Sequence, residues 1–248
     1  MLAIIGGSGF NQLSDIEVLR RQAVRTPYGE PSGALTFGAI AGHEVVFLAR
    51  HGYGHTIPPH EVNYRANVWA LHAQGVKNVV STAAVGGIRG DLKPGALVVP
   101  DHIIDYTHGR AGTFFTLTDR GVHHIDFTLP YCQTLRAACL KAAQQAGEKV
   151  VDGGVYAATQ GPRLETAAEI NRLERDGADM VGMTGMPEAA LARELGLCYA
   201  TIAVVANYAA GRGGSRLAID INAITVALQQ AMGRLRLILE SLVRSDGS

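Results

Sequence analysis

The sequence predicts an α/β fold, with a central mixed β-sheet flanked by helices in a single domain over residues 1–248. Short apolar runs alternate with amphipathic helical patterns along the whole chain, and no internal repeat or linker interrupts them. Hydrophobic residues make up 47% of the sequence and charged residues 18%. This composition is typical of a compact protein with a large buried core.

The predicted strands are short apolar runs. They are residues 2–5, 44–49, 78–82, 96–104, 153–158, 180–182 and 197–206. Uninterrupted apolar runs are typical of strands that are buried on both faces, as in parallel sheets. The helical patterns between the runs therefore favour a mostly parallel, mixed sheet.

Helical patterns follow most of these runs. They are residues 62–74, 131–145, 166–175, 187–195 and 220–242. Thr166 and Glu169 have the spacing of a capping box at the start of the third helix. Pro187 suits the first turn of the fourth helix, and Asp220 suits the N-cap of the last.

Charge, hydropathy and cysteine content exclude several classes of protein. Lys plus Arg and Asp plus Glu number 22 each, and no basic stripe that would bind nucleic acid is visible. No stretch reaches the roughly 18 apolar residues of a membrane-spanning helix, and the first residues predict a strand rather than a signal peptide. The cysteines Cys132, Cys139 and Cys198 have no framework spacing. We therefore expect reduced thiols in a cytoplasmic protein with neither nucleic-acid nor membrane partners.

Unusual residues cluster directly after the predicted strands. They are segments 6–9, 50–52, 83–87, 161–165 and 183–184, together with Asn207. In open α/β sheets, ligands bind in the crevice beyond the carboxyl ends of the strands. The clustering therefore predicts one small-molecule site at that edge of the sheet.

The glycine-rich segment 6–9 offers backbone N–H groups and the Ser8 hydroxyl to an anion, and a tight turn that needs small residues is the alternative. A dinucleotide fingerprint fails because Gln12 stands at the position of its third glycine. A nucleophile elbow fails because Phe10 occupies the position of its last glycine. Ser8 is therefore predicted to be a hydrogen-bond donor rather than a nucleophile.

Arg50 and His51 end a strand that starts polar and becomes apolar. An arginine there provides a fork that matches phosphate, and His51 adds one more donor. The alternative is a surface arginine that pairs with a carboxylate. All nine histidines lie between His43 and His124, which leaves a metal-dependent hydrolase as a competitor. However, neither standard ligand spacing nor an HExxH pattern occurs, so we expect no metal.

Seven dispersed motifs carry a resemblance to a known family. They are IIGGSG at 4–9, TPYG at 26–29, LARHG at 48–52, HTI at 55–57, VNYRANVWAL at 62–71, QGPR at 160–163 and MT at 183–184. With these motifs the chain resembles the trimeric purine nucleoside phosphorylases, most closely the 5′-methylthioadenosine phosphorylase branch. The resemblance implies that inorganic phosphate attacks C1′ of a nucleoside and releases a purine base and a pentose 1-phosphate. It also implies a homotrimer with sites near subunit interfaces, and no metal or organic cofactor.

The resemblance assigns the phosphate site position by position. Ser8, Arg50, His51 and Thr184 would bind phosphate, and the backbone N–H of Ala84 would help. Phosphate held close to C1′ would stabilise the oxocarbenium-like transition state that such a displacement should pass through.

The resemblance also assigns contacts to the sugar. Met183 would pack beneath the ribose, and His124 would reach the 5′ region of a neighbouring subunit's site. Ile221 aligns, allowing one inserted residue, where the methylthio enzymes have an apolar side chain; the alternative is that it only starts the core stripe of the last helix. A methylthio group buried against apolar surface would gain roughly 1.5–3 kcal/mol.

The base contacts depart from the methylthioadenosine branch. That branch has Asp-Tyr-Asp where this chain has Asn207, Tyr208 and Ala209, and it typically has a serine where Glu165 follows Leu164. Asn207 and Glu165 look like the pair of the 6-oxopurine enzymes, and we predict that both are catalytic. Asn207 can accept from a protonated N7 and donate to O6, whereas Glu165 can accept from N1–H. Adenine would bring donor against donor.

The sequence therefore predicts phosphorolysis of 5′-methylthioinosine to hypoxanthine and 5-methylthio-α-D-ribose 1-phosphate. Two activities of the same family remain alternatives: a methylthioadenosine phosphorylase with altered base contacts, and a general 6-oxopurine (inosine/guanosine) phosphorylase. A metal-dependent hydrolase and a nucleotide-binding module are the competitors from other classes.

Overall fold

The computed structural model describes residues 1–9, 16–116 and 121–246. Phe10 and Gln12, on which two motif exclusions depend, lie outside the described residues. Within the described part, eleven strands form one mixed sheet against which helices pack. The predicted α/β fold class is confirmed.

The strands are β1 Leu2–Gly6, β2 Glu17–Gln22, β3 Leu35–Ile40, β4 His43–Ala49, β5 Asn78–Gly87, β6 Leu97–Val99, β7 His102–Asp105, β8 Val150–Asp152, β9 Val155–Ala158, β10 Met180–Gly182 and β11 Cys198–Tyr208. The helices are α1 Tyr64–Ala73, α2 Gln133–Gln145, α3 Ala167–Arg175, α4 Gly185–Glu194 and α5 Ile221–Asp246. A short 3₁₀ turn covers Gly213–Ser215.

Four parallel strands form the centre of the sheet. β1 pairs with β4, where Ile5 lies opposite Leu48, and with β5, where Ile5 lies opposite Ser81. β5 also pairs with β11, where Ser81 lies opposite Thr201. Because these strands run in one direction, their carboxyl ends meet at one edge, where ligands of open α/β sheets bind. β10 adds to this edge as an antiparallel partner of β5.

The sequence-based prediction missed three strands, β2, β3 and β8. Almost all of β2 is exposed, so no apolar run marks it. β3 contains Gly38, which weakens a strand pattern. A Cβ at Gly38 would lie 2.2 Å from Ile16 Cγ2 and 2.6 Å from the carbonyl oxygen of Glu17. Glycine is therefore what lets β2 approach β3.

The predicted strand 96–104 is wrong as a single element, because it divides into β6 and β7. Pro100 lies between them, and a proline has no N–H with which to continue a ladder. β6 pairs with β11 and β8, whereas β7 pairs with β9.

The predicted starts at Thr166, Pro187 and Asp220 are confirmed, whereas the helices predicted from residues 62 and 131 begin at Tyr64 and Gln133. Thr166 Oγ1 accepts from the N–H of Glu169 at 3.1 Å, and Glu169 Oε2 accepts from the N–H of Thr166 at 2.7 Å. Asp220 Oδ1 accepts from the N–H groups of Asn222 and Ala223 at 2.8 and 3.2 Å. In α4, Met186 has extended dihedral angles, and the regular helix starts at Pro187.

The prediction of three reduced cysteines is wrong. Cys132 and Cys198 form a disulfide with a Cα–Cα distance of 5.1 Å, whereas Cys139 is a buried free thiol. The N–H of Cys132 donates to the carbonyl oxygen of Tyr199 at 2.8 Å, which brings the segment before α2 against the start of β11. The two cysteines are 66 residues apart, so their spacing gave no signal of this pairing.

The longest helix, α5, closes one face of the sheet together with α2. Its buried residues Leu228, Leu235 and Leu239 join a core cluster that also contains Ile4 and Ile202. None of the helices in the described ranges is long and apolar enough to cross a membrane.

Candidate active site

A cavity of about 550 Å³ lies at the carboxyl ends of the central strands. We call it the central cavity. Its lining contains all the predicted site residues except Ile221 and His124. The predicted residues that line the cavity are Ser8, Arg50, His51, Ala84, Leu164, Glu165, Met183, Thr184, Asn207 and Ala209. The structure therefore brings these residues together at one edge of the sheet, and their roles stay predictions.

Arg50 is fully buried beneath the cavity, and its fork binds a carboxylate of the protein. Nε donates to Glu188 Oε2 at 2.6 Å and Nη2 to Glu188 Oε1 at 2.8 Å. Nη2 also donates to Ser81 Oγ at 2.6 Å, and Nη1 donates to the carbonyl oxygen of Thr82 at 2.9 Å. Since a guanidinium has five N–H donors, one donor on Nη1 remains for a ligand. The sequence predicted that the guanidinium of Arg50 would face phosphate with a fork of donors, whereas the structure leaves one donor for this role.

Glu188 balances the charge of Arg50. The carboxylate is 0% exposed in the first turn of α4, and it also accepts from the Tyr199 hydroxyl at 2.7 Å. Burial alone would lower the pKa of Arg50, but the carboxylate outweighs it and holds the pKa above its usual value. The pair is thus ionised and neutral overall, so this edge of the cavity carries no net side-chain charge.

His51 presents only one ring nitrogen to the cavity. Nδ1 lies 2.8 Å from the carbonyl oxygen of Ile57. Because a carbonyl can only accept, Nδ1 carries the proton of the neutral ring. Burial and the charge of Arg50 lower the pKa of His51 to about 4, so the ring is neutral at pH 7. The ring of His55 packs beside it with centroids 4.7 Å apart.

The glycine-rich segment packs against Arg50 and also lines the cavity. The N–H of Gly7 donates to Thr82 Oγ1 at 2.9 Å. A Cβ at Gly7 would lie 2.5 Å from the carbonyl oxygen of Thr82 and 2.9 Å from Arg50 Nη1. Position 7 therefore needs glycine for this close packing. In the next residue, Ser8 Oγ lies 3.5 Å from His55 Nε2.

Thr184 occupies the N-cap position of α4. Its hydroxyl makes no capping bond, and its N–H donates to the Tyr156 hydroxyl at 3.3 Å. The regular helix of α4 starts only at Pro187, so Thr184 offers its hydroxyl to the cavity rather than a helix N-terminus. Ala84, from β5, completes this side of the lining.

A β-bulge directs Asn207 into the cavity. The register between β11 and β5 shifts between Val205 and Asn207, so Val205 faces Val85 and Asn207 faces Gly86. Bulges place successive side chains on one side, and Ala206 and Asn207 both line the cavity. Asn207 Nδ2 donates to the carbonyl oxygen of Tyr208 at 2.6 Å. This contact fixes the amide, because only its NH₂ end can face a carbonyl. Oδ1 and the second N–H remain for a ligand.

Glu165 is oriented by a residue that the sequence reasoning missed. Thr159 Oγ1 lies 2.7 Å from Glu165 Oε1 and 3.2 Å from the carbonyl oxygen of Gly182. A hydroxyl has one proton, and the shorter contact makes Glu165 the main acceptor. Thr159 follows β9 directly, so its position after a strand was the signal that could have revealed it.

Ala209 is a wall of the cavity rather than a polar contact. It is buried in an apolar cluster with Val181 and Ile170. A Cβ on Gly86 would lie 3.5 Å from the Ala209 Cβ. A carboxylate at this position would therefore enter apolar surroundings.

Arg110 clamps the loops that carry the ligand-facing residues, and the sequence reasoning missed it too. Nη1 donates to the carbonyl oxygens of Met183 and Met186 at 2.8 and 2.6 Å. Nη2 donates to the carbonyl oxygen of Gln160 at 2.8 Å. Met183 in turn packs on Gly161, where a Cβ would lie 2.3 Å from the Met183 sulfur. Arg110 belongs to no motif in the sequence, so nothing marked it.

Two predicted residues lie outside the cavity lining. Ile221 is 60% exposed at the start of α5, and the apolar residues at this wall are Ile219, Ile224 and Leu228. Ile221 therefore lies at the surface outside the lining of this cavity, and its predicted contact with the 5′ group stays a prediction. His124 is exposed in a segment without helix or strand. Its predicted role concerns a neighbouring subunit and stays a prediction.

The histidines lie in a part of the chain for which a metal site was a competing interpretation. In the described ranges, no group of three or more His, Cys, Asp or Glu residues is arranged to hold a metal ion. The histidines of the cavity lining, His51 and His55, contact a carbonyl oxygen and a serine hydroxyl instead.

Comparison with known proteins agrees with this geometry. The sequence pattern of the phosphorylase superfamily matches residues 1–244. The chain is 52% identical to a probable S-methyl-5′-thioinosine phosphorylase of Pseudomonas syringae over 98% of both chains. It is 49% identical to a 6-oxopurine nucleoside phosphorylase of Pyrococcus furiosus over 87% of this chain and 82% of the other. Methylthioadenosine phosphorylase from Schistosoma mansoni in complex with adenine superposes with a TM-score of 0.94 at 34% identity, over 99% of this chain and 91% of that chain.

Proposed function

The chain belongs to the phosphorylase superfamily, and we propose that it converts 5′-methylthioinosine and phosphate to hypoxanthine and 5-methylthio-α-D-ribose 1-phosphate. A phosphate oxygen forms a bond to C1′ while the bond from C1′ to N9 breaks. The electron pair of that bond leaves with the purine, which takes up a proton at N7; overall this balances the proton that monohydrogen phosphate loses on becoming the sugar phosphate. The name of the Pseudomonas syringae relative agrees with this substrate.

The observation that carries the proposal is the pairing of an amide with a carboxylate at the base end of the cavity. Asn207 is held by Tyr208 so that Oδ1 and one N–H face the ligand. These groups match a protonated N7 and the O6 of hypoxanthine. Glu165, held by Thr159, offers an oxygen to N1–H. Adenine lacks N1–H and carries an amino group at C6, so it would leave buried partners unmatched at about 1–3 kcal/mol each.

The other end of the cavity supports a methylthio group over a 5′-hydroxyl. Ile219, Ile224 and Leu228 bring apolar surface to the lining. A methylthio group buried there gains free energy, whereas a hydroxyl loses its hydration without a partner. This wall separates the proposal from a general 6-oxopurine nucleoside phosphorylase, the activity named for the Pyrococcus furiosus relative.

At the phosphate end of the cavity, the groups that would bind the anion are hydrogen-bond donors. Ser8, Thr184, the Ala84 backbone and the remaining donor of Arg50 would bind phosphate close to C1′. Preorganised donors would hold phosphate at this point, and the phosphate oxygens would stabilise the cationic sugar. Met183 would pack beneath the ribose, where Arg110 holds its backbone.

The test is phosphate-dependent base release from 5′-methylthioinosine, 5′-methylthioadenosine and inosine, compared by kcat/KM. We expect methylthioinosine to lead both. A lead for methylthioadenosine would contradict the base contacts, and a lead for inosine would contradict the apolar 5′ wall. Asn207→Asp should lower kcat/KM for methylthioinosine, because a carboxylate cannot donate to O6. Asn222→Asp, the same change at an exposed residue outside the cavity lining, is the matched control that should keep the substrate ranking.

Several properties of the assembly belong to the proposal as well. We propose one domain over residues 1–248, a homotrimer in the cytoplasm, and turnover without metal or organic cofactor. His124 would then reach the 5′ end of a neighbouring subunit's cavity, which its exposed position permits. Sedimentation equilibrium tests the trimer. Full activity after dialysis against a chelator tests the absence of a metal requirement.

A further inference from the structure

The phosphate end of the cavity carries no net charge, and one of its groups, the His51 ring, offers a hydrogen-bond acceptor. The charge of Arg50 is balanced by Glu188, with both side chains 0% exposed. The other ionisable residues of the lining are His51, His55 and Glu165. No net positive charge in this lining offsets the two negative charges of a phosphate dianion. Binding must therefore depend on how well individual donors and acceptors match.

The polarity of His51 is set by the protein backbone. Nδ1 donates to the carbonyl oxygen of Ile57, which leaves Nε2 with a lone pair in the neutral ring. Burial, the charge of Arg50 and the nearby His55 oppose a second proton on this ring, whereas the Ile57 carbonyl and Glu188 favour one. The opposing effects dominate, and they keep the ring neutral at pH 7.

We propose that His51 binds phosphate as a hydrogen-bond acceptor, so that the site selects an anion that still carries a proton. Monohydrogen phosphate donates its P–OH to Nε2, while its other oxygens accept from Ser8, Thr184 and Arg50. Sulfate has the same charge and shape at neutral pH but no proton. It would place an oxygen against the lone pair of Nε2, or force His51 to take up a proton from solvent. The inference deepens the proposed function, since it rests on phosphate being the co-substrate.

Sulfate and phosphate at pH 8 form a matched pair for the test, because both are dianions that differ by one proton. We expect titration calorimetry of the phosphate-free protein to show sulfate binding roughly 10- to 100-fold weaker than phosphate. Repeating both titrations in two buffers of different ionisation enthalpy counts the protons. Phosphate should bind without proton uptake, because its own P–OH faces Nε2; uptake of about one proton with phosphate would mean that His51 becomes charged and donates, which would overturn the proposal. Equal affinities without proton uptake, or no phosphate binding at millimolar concentration, would overturn the proposal.

Histidine ¹⁵N NMR of the phosphate complex gives a readout that is independent of the measured affinities. We expect a protonated Nδ1 and a bare Nε2 on His51, whereas a protonated Nε2 in this complex would refute the inference. His51→Gln identifies the resonance and should bring the phosphate-to-sulfate ratio close to one, since an amide can donate as well as accept. His60→Gln is the matched control, because His60 lies outside the lining and pairs with Glu61.

The test separates this inference from the proposed function. Anion binding and the protonation of His51 are measured without any nucleoside. If the enzyme prefers another nucleoside, the anion preference stands unchanged. If sulfate binds as well as phosphate, the nucleoside preference stands and only the role of His51 falls.

Discussion

Replacing Glu188 by Gln should destabilise the protein by about 3 kcal/mol, at the low end of the range for breaking a buried ion pair. Glu188 accepts three hydrogen bonds, two from Arg50 and one from Tyr199, and both partners of the ion pair are 0% exposed. Gln keeps the shape but retains one acceptor oxygen. Its NH₂ group must face a donor of Arg50 or Tyr199, and Arg50 is left with an uncompensated buried charge.

Thermal unfolding followed by circular dichroism measures this effect. For a chain of 248 residues, a loss of about 3 kcal/mol should lower Tm by roughly 6–12 °C. Phosphate should raise Tm more in Glu188→Gln than in the unchanged protein, because a bound anion replaces the lost negative charge beside Arg50. Glu240→Gln is the control, since the Arg236–Glu240 pair is solvent-accessible on α5. It should change stability by no more than about 0.5 kcal/mol.

Two results would refute the reasoning about this pair. A Tm within about 2 °C of the unchanged protein would mean that the ion pair adds little to stability. An equal phosphate-induced shift in both proteins would mean that the charge of Arg50 is not felt at the phosphate position. The second result would also remove Arg50 from the proposed phosphate contacts.

Three further predictions concern residues around the cavity. Thr159→Val should lower kcat/KM for methylthioinosine about tenfold and leave the phosphate KM unchanged, because Glu165 loses one hydrogen bond. Arg110→Met should lower kcat more than tenfold in steady-state assays, since the loop that carries Met183 loses its clamp. The lowered pKa of His51 means that the unfolded chain binds more protons than the native one between pH 6.5 and about 4. Stability measured by urea unfolding should therefore fall as pH drops through this window, and less steeply in His51→Gln.

The sequence predicted the fold where local patterns carry the information. Buried central strands such as β1 and β11 are continuous apolar runs, and the helix starts at Thr166 and Asp220 have side chains that cap by themselves. β2 had no such pattern, because its side chains are exposed and only its pairing with β3 makes it a strand. The disulfide was missed for a similar reason, since it depends on packing between the start of β11 and the segment before α2.

The same difference between local and long-range information applies to the site. Local patterns predict which residues reach it, whereas their contacts depend on residues far along the chain. Strand ends revealed Ser8, Arg50, Glu165 and Asn207, because carboxyl ends of parallel strands meet at one edge whatever the loop details. What each side chain binds depends on residues far along the chain, and a bulge in β11 sets the direction of Asn207.

Arg50 illustrates how such a partner can still be inferred. Its carboxylate partner is 138 residues away, yet Glu188 stands between Pro187 and Ala189 in a helix whose neighbouring residues are buried. A carboxylate on a buried helix face needs a cation, and an arginine that ends a buried strand needs an anion. Two such residues in one chain predict each other, so the fork of Arg50 could have been assigned to Glu188 before any ligand was considered. The single donor left on Nη1 then follows from the donor count of a guanidinium.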